Sequence, residues 1–283
     1  MQTTKPKGLA KIWREIKRPF RQVFGRSSSS PINSILSSCE NPEIADSVPA
    51  DVEPKLIKRY CPVCQHGSEK IFEDFNGHTD RRCAYCGSLE RHRFIWLALG
   101  NQLCRQEHSN CSLLHFAPES CFSQHFEFFF GDNYITGDLE PGRAKQVVDI
   151  TNICFPENTF DYIYCCRVLE HIIDDITALK ELYRVLKPGG TAYLSVPLRG
   201  EKTYEDYSIT SPEERTKHFG QWDHVRFYGT DIIERIISVG FSVEVKTLAD
   251  FVLHEGLRET LGFRKIMKEE KLFIAKKVIK NVK

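Results

Sequence analysis

Leu113-Leu114-His115-Phe116, Tyr134-Ile135-Thr136-Gly137-Asp138, Phe160-Asp161-Tyr162-Ile163-Tyr164-Cys165-Cys166 and Thr191-Ala192-Tyr193-Leu194-Ser195-Val196-Pro197 are four apolar runs of strand length within one stretch of the chain. The intervals between them are long enough for helices. The clearest helix runs from Asp174 to Lys187. Leu179, Leu182, Tyr183 and Leu186 fall on one face, Asp174 and Asp175 suit its amino end, and Pro188-Gly189 stops it. Strands alternating with helices predict a parallel sheet covered on both faces. Such a sheet takes its ligand beyond the carboxyl ends of the strands, and Asp138, closing the second run, is placed to accept hydrogen bonds from a ribose diol. The first reading is therefore an α/β domain for a nucleotide-type ligand.

The connecting segments narrow the class. Asp149-Ile150-Thr151 is followed by Phe155-Pro156-Glu157-Asn158-Thr159-Phe160-Asp161, then Val168-Leu169-Glu170-His171-Ile172, then Arg184-Val185-Leu186-Lys187-Pro188-Gly189-Gly190. This succession resembles the class I S-adenosylmethionine-dependent methyltransferases of the type 11 group, over roughly residues 89–283. The resemblance implies a Rossmann-like seven-stranded sheet with its last strand antiparallel and helices on both faces. Phe241–Thr247 and Leu272–Lys276 read as the last two strands, and Asp231-Ile232-Ile233-Glu234 opens a helix in capping-box spacing that Gly240 closes.

The resemblance also assigns cofactor contacts for S-adenosylmethionine. Asp138 would hold the ribose hydroxyls, Asp149 would face the adenine amino group with Ile150 beside the ring, and Cys165, Cys166 and Arg167 would line the floor. The first loop departs from the family pattern. His115 stands at the family's acidic position, and Ala117, Glu119 and Cys121 stand at its three glycine positions. Glycine permits positive φ and close backbone approach, whereas Pro118 restricts Ala117 to extended conformations. Glu119 is then expected to pair with the ammonium group of the methionine moiety.

Working outward toward the amino terminus, Cys61-Pro62-Val63-Cys64 and Cys83-Ala84-Tyr85-Cys86 form two Cys-x-x-Cys pairs at the spacing of a zinc ribbon. Four thiolates fill a tetrahedral zinc shell and leave no open position, so Cys61, Cys64, Cys83 and Cys86 predict a structural Zn2+ site. Two disulfides or a redox dithiol are the alternatives, but no thioredoxin-like unit surrounds the pairs. Gly67 and Gly87 suit turns beside the metal, and Ser88 suits the N-cap of a helix running to about Arg105. Arg81-Arg82 and Arg91-His92-Arg93 offer either a phosphate-binding face or a solvated one packed against Glu90. The organisation is a basic segment and linker at 1–55, a zinc ribbon at 56–88 and the methyltransferase domain at 89–283.

Composition fits this layout. The chain has 283 residues, is 41% hydrophobic and carries a net charge of +1, which makes no global case for nucleic acid. Of its eleven cysteines, the seven outside the two pairs lie mostly among apolar residues, as reduced buried side chains do, and this favours a reducing, cytoplasmic compartment. Residues 1–26 hold eight Lys/Arg against Glu15 alone. Leu9, Ile12, Trp13, Ile16 and Phe20 recur there at helical spacing. Three readings stand: an interfacial helix touching anionic membrane, an organellar transit peptide, or a disordered solubilising tail.

For the chemistry, His171 sits shortly after the fourth strand and is the first candidate base, against a histidine that only packs. Between the fifth strand and the next helix lies Phe219-Gly220-Gln221-Trp222-Asp223-His224-Val225-Arg226-Phe227-Tyr228. Asp223 and His224 offer a carboxylate and a base, Arg226 an anion clamp, and Trp222 and Tyr228 stacking faces for substrate. The leading expectation is O-methylation of a small molecule or saccharide. The alternatives are a zinc-ribbon RNA (guanine) methyltransferase and a non-catalytic binding protein on a degenerate methyltransferase fold. The fold alone decides none of these.

Overall fold

The computed structural model describes residues 57–103, 108–252, 255–263 and 270–279. The basic amino-terminal segment and its linker therefore lie outside the described residues. No helix among the described residues is long and apolar enough to cross a membrane.

The chain divides into two compact units. In the first, β1 (Arg59–Tyr60) pairs antiparallel with β2 (Gly67–Ser68), and β3 (Glu73–Phe75) pairs antiparallel with β4 (His78–Arg82). The β3–β4 connection is a two-residue turn with φ of 49° at Asn76 and 73° at Gly77. Asn-Gly is the dipeptide that tolerates two successive positive φ angles in a tight hairpin. Helix α1 (Glu90–Leu103) follows and buries Phe94, Ile95, Trp96, Leu99 and Leu103. A short helix, Glu255–Thr260, belongs to this unit too.

Arg93 is fully buried within the unit and its guanidinium donates to four main-chain oxygens, those of Arg81, Ser88, Leu261 and Gly262, at 2.8–3.1 Å. It also lies 4.1 Å from the Phe72 ring centroid. Arg81 instead donates to Glu90 at 3.0 Å. The basic run around the second cysteine pair is thus structural in large part, and Arg93 faces neither phosphate nor solvent.

The second unit holds the main sheet. Its elements are β5 (Leu113–Phe116), α2 (Ser120–Phe130), β6 (Tyr134–Asp138), β7 (Gln146–Val147), β8 (Phe160–Cys166), α3 (Asp175–Val185) and β9 (Leu186–Ser195). Then come β10 (Tyr204–Glu205), α4 (Pro212–Phe219), β11 (Arg226–Phe227), α5 (Ile232–Ser238), β12 (Phe241–Thr247) and β13 (Lys271–Lys277). The strand order is β12-β13-β9-β8-β5-β6-β7. β5, β6, β7, β8 and β9 run parallel, while β13 is antiparallel to both β9 and β12. This is the seven-stranded Rossmann-like methyltransferase sheet with its last strand reversed.

Alternation along the strands sorts the two faces by chemistry. Leu114, Phe116, Ile163, Cys165, Ala192 and Leu194 form an aliphatic layer in one core with Ala178, Leu179, Leu182 and Val185 of α3 and Ile232 and Ile236 of α5. The opposite face is aromatic: His115 and Tyr164 meet Phe122 and Phe126 of α2 at ring-centroid distances of 4.8–5.8 Å.

Local rules account for the ends of α3 and α5. Asp174 caps α3, accepting from the Thr177 amide at 2.9 Å. The helix ends at Val185 and Leu186 already begins β9, two residues before Pro188-Gly189. Asp231 precedes α5, but its carboxylate is taken by the Thr203 amide and hydroxyl, so no capping box forms.

Candidate active site

The ends of the parallel strands bring the expected cofactor residues to one edge. In register, Phe116 faces Gly137 on one side and Cys165 on the other. The next residues along each strand, Ala117, Asp138 and Cys166, therefore stand level at the carboxyl edge. Ala117 has φ of +48° and its amide donates to the Gly137 carbonyl at 2.9 Å. The expectation that Pro118 holds Ala117 extended is thus corrected: the alanine adopts the left-handed geometry for which glycine is usual. Such a conformation costs about 1–2 kcal/mol in a non-glycine residue and clusters at functional sites. Arg167, just past β8, also has positive φ, +60°.

Asp138 is half-buried and its Oδ1 accepts the Glu140 amide at 2.8 Å, which fixes the carboxylate at the rim. Asp149 is exposed and accepts from the amide and hydroxyl of Thr151 at 2.8 and 2.7 Å. Ile150 is 4% exposed and belongs to the aliphatic core. The loop after β5 is short. Glu119 caps α2 by position, so Cys121 lies inside that helix and not in a ligand loop.

Other residues assigned to the cofactor face inward. His115 is fully buried; its Nδ1 lies 2.8 Å from the Tyr134 hydroxyl and its Nε2 accepts the Glu119 amide at 3.4 Å. Burial pushes its imidazole down to about 4, which keeps the ring neutral. Glu119 Oε2 accepts from the buried Tyr164 hydroxyl at 3.0 Å, so the expected partner of an ammonium group already serves an internal phenol. Cys165 and Cys166 are buried, and burial raises both thiols above their usual range. Arg167 pairs with Glu270 at 2.7 Å, and Ser195 donates to the same carboxylate at 3.1 Å.

Beyond β8, the 3-10 turn Leu169–His171 and the segment around Asp223 converge. His171 Nδ1 lies 3.2 Å from Asp223 Oδ2, and Gln221 Nε2 donates to Asp223 Oδ1 at 2.8 Å. The His171 and His224 rings meet edge to face at 4.7 Å. Burial and the neighbouring His171 push the His224 imidazole down to about 4. The structure thus brings His171, Asp223 and His224 together, with Glu170 among them, a residue the sequence reading left out. Its position directly before His171 was the one available signal.

The expected substrate contacts divide. Trp222 is 62% exposed beside the cluster and presents a stacking face to solvent. Arg226 and Tyr228 are fully buried, which differs from the expected anion clamp and second stacking face. Arg226 donates to Glu205, Tyr207 and the Ile173 carbonyl at 2.8–3.0 Å, and Tyr228 donates to Asp175 at 2.7 Å. Arg235 joins Asp175 to Glu205. Burial opposes the charge on Arg226, but Tyr228, Asp175 and Glu205 hold its pKa above the usual range. These side chains pin the β10–β11 ladder and the His171 turn in place.

Residues 136–194 match the family described as the methyltransferase domain. The resemblance to S-adenosylmethionine-dependent methyltransferases therefore stands. Among curated relatives, a tRNA U34 carboxymethyltransferase of Nautilia profundicola is 39% identical over 83 residues, covering 29% of this chain and 26% of that protein. A demethylmenaquinone methyltransferase of Geobacillus sp. is 56% identical over 68 residues, covering 22% and 29%. The chain thus spans about a quarter of the length of these relatives. A solved S-adenosylmethionine-dependent methyltransferase from Mesorhizobium loti is similar at 17% identity, with a TM-score of 0.45, over 65% of this chain and 98% of that one.

The first unit carries the four cysteines. All are free thiols, and their sulfurs lie within 4.8 Å of one another. Cys61 to Cys86 and Cys64 to Cys83 are 3.7 Å apart. A tetrahedron with about 2.3 Å metal–sulfur bonds has edges of about 3.8 Å, so the sulfurs stand where such an ion would place them. The two turns share one bonding pattern. Gln65 donates to the Cys61 carbonyl and Cys61 to His66; Gly87 donates to the Cys83 carbonyl and Cys83 to Ser88, all at 2.8–2.9 Å. Gln65 and Gly87 both take positive φ. Gln65, and not Gly67, is therefore the turn residue of the first pair. Ser88 is not the cap of α1: its hydroxyl lies 3.1 and 3.2 Å from the sulfurs of Cys61 and Cys86.

Proposed function

We propose that this chain transfers a methyl group from S-adenosylmethionine to a hydroxyl of a small molecule or saccharide. The observation that carries the reading is the convergence of Ala117 and Asp138 at the carboxyl edge of a methyltransferase sheet, with His171, Asp223 and His224 clustered beyond the same end of β8. When bound, the cofactor supplies a sulfonium methyl group that is open to in-line attack. Asp138 accepts the ribose hydroxyls, and the left-handed Ala117 lets the backbone come close to the ligand. His171 receives the proton of the acceptor hydroxyl, and the Asp223 carboxylate, 3.2 Å from its Nδ1, stabilises the imidazolium that forms. Trp222 offers the exposed face on which a sugar or ring stacks.

Zinc in the four-cysteine cluster is part of the same proposal, as a structural ion with no catalytic position. RNA is the second reading, favoured by the tRNA-modifying relative. Against it, Arg59, Arg81 and Arg82 on the cysteine unit are each paired with a carboxylate: Asp80, Glu90 and Glu73.

Calorimetric titration with S-adenosylhomocysteine tests the core of the reading. Binding is expected, and Asp138→Ala should weaken it by roughly 1–3 kcal/mol through loss of charged hydrogen bonds. No binding by the intact chain would end the methyltransferase assignment.

A further inference from the structure

We infer that Glu170, His171 and His224 form a binding site for a divalent transition cation beside the methyl-acceptor position. One ligand atom from each of the three residues lies within 4.8 Å of the others, and Glu170 and His224 are buried while His171 is half-buried. Two imidazoles and one carboxylate are a zinc-type donor set that leaves coordination positions open.

The orientation of the rings supports ligation. His224 Nδ1 faces the Phe219 carbonyl at 3.2 Å, and His171 Nδ1 faces Asp223 Oδ2 at 3.2 Å. The Phe219 carbonyl is an acceptor, so His224 Nδ1 carries the proton and its Nε2 keeps a lone pair, while the Asp223 carboxylate stands behind the His171 ring. Metal-binding histidines are held in this way by a carbonyl or carboxylate behind the ring. Gln221 in turn fixes Asp223.

The backbone holds the donors in place before any ion arrives. The Val225 amide donates to the Glu170 carbonyl at 2.9 Å, tying the turn that carries Glu170 and His171 to the segment that carries His224. Arg226 donates to the Leu169 and Ile172 carbonyls on either side of that turn.

Charge points the same way. Glu170 and Asp223 bring two carboxylates to the pair of rings. Arg167, which pairs with Glu270, also lies within electrostatic reach of Glu170, and Arg226 pairs with Glu205 and Asp175. A dication adds to the compensation of the buried Glu170 carboxylate and of the half-buried Asp223. Contraction to bonds of about 2.0–2.2 Å asks for rotation of the His171 ring, the most exposed of the three.

The site deepens the proposed O-methylation and takes a hydroxylated acceptor, whose oxygen fills an open position. With the ion present, the metal and not a free His171 would acidify that hydroxyl, whose proton leaves to water while its oxygen takes the methyl as the sulfonium C–S bond breaks and the thioether departs. The inference about acceptor class rests on the methyltransferase reading; metal binding itself does not.

The test is zinc stoichiometry of the full chain after equilibrium dialysis against micromolar zinc, by elemental analysis. Two ions per chain are expected, one in the four-cysteine cluster and one here. Glu170→Gln, which keeps the shape of the side chain, and His171→Asn, at the half-buried position, should each leave one ion. Asp223→Asn should weaken the second site by about 10–100-fold, as loss of a partner behind a metal-bound histidine does. One zinc in the wild-type chain, or two retained by both Glu170→Gln and His171→Asn, overturns the site. S-adenosylhomocysteine titration of the same proteins separates the two readings: a chain that binds the nucleoside but only one zinc loses this site and keeps the proposed methyl transfer.

Discussion

His115 shows how one residue changes meaning when its surroundings are known. In sequence it occupies the position where the family carries an acid that faces the ligand. In the structure it is sealed between the α2 phenylalanines, Tyr134 and Tyr164, and serves as a neutral hydrogen-bonding core residue. That role makes a pH prediction. Burial holds its imidazole down to about 4, against about 6.5 in an unfolded chain. Between those values the unfolded chain binds a proton that the folded chain refuses. His115 therefore contributes full stability above about pH 6.5, and the contribution is lost as pH falls toward about 4, by roughly 3 kcal/mol. Urea unfolding at pH 7 and pH 4.5 should show His115→Gln losing less stability on acidification than the wild type. Equal losses in both proteins would exclude His115 as the acid-sensitive group. Ala117 teaches the complementary lesson. The rule that a residue before proline is extended lost to the demand of the strand end for a left-handed turn, anchored by the Gly137 carbonyl.

At the scale of elements, strong periodicity was legible and weak periodicity was not. β5, β6, β8, β12, β13 and α3 carry dense apolar runs or a clear helical face, and they lie where those patterns place them. The β10–β11 ladder was invisible because two two-residue strands leave no periodic trace; a buried ion network holds them instead. Arg226 and Tyr228 looked like substrate groups because an exposed loop rich in ionisable side chains is usually functional. What the one-dimensional pattern lacks is the partners, Glu205, Asp175 and Arg235, which come from three other elements. Removing one member of a buried ion pair strands the rest without compensation and typically costs about 3–5 kcal/mol. Arg226→Met should lower the unfolding free energy by that order in chemical denaturation. A loss below about 1 kcal/mol would mean that the network does not hold the ladder. The same network carries the turn of Glu170 and His171, so its geometry underlies the candidate site without touching a substrate.

At the scale of the whole molecule, the chain divides along a line the sequence reading did not draw. The expected boundary fell after the second cysteine pair, yet α1 and the helix Glu255–Thr260 group with the cysteines. The link is Arg93, whose guanidinium binds carbonyls both at Ser88 beside the sulfurs and at Leu261 and Gly262 some 170 positions later. Spacing arguments could find the four clustered cysteines, because a zinc ribbon has a typical separation, but not this distant partner. The arrangement makes the unit dependent on its proposed metal. Its strands are two to five residues long, and small modules of this kind fold through ligation of the ion. Four thiols crowded at 3.7 Å without an ion have no comparable reason to stay together. The sheet unit has its own continuous aliphatic core and needs no such support. Stripping metal with a strong chelator, or substituting Cys64→Ser, should therefore expose residues 57–103 and 255–263 to protease while 108–252 remains protected. Mass spectrometry of a limited digest reads both regions at once. Uniform resistance after complete metal removal would show that Arg93 and the α1 core suffice without an ion, and uniform cleavage would show that the sheet unit is not independently stable.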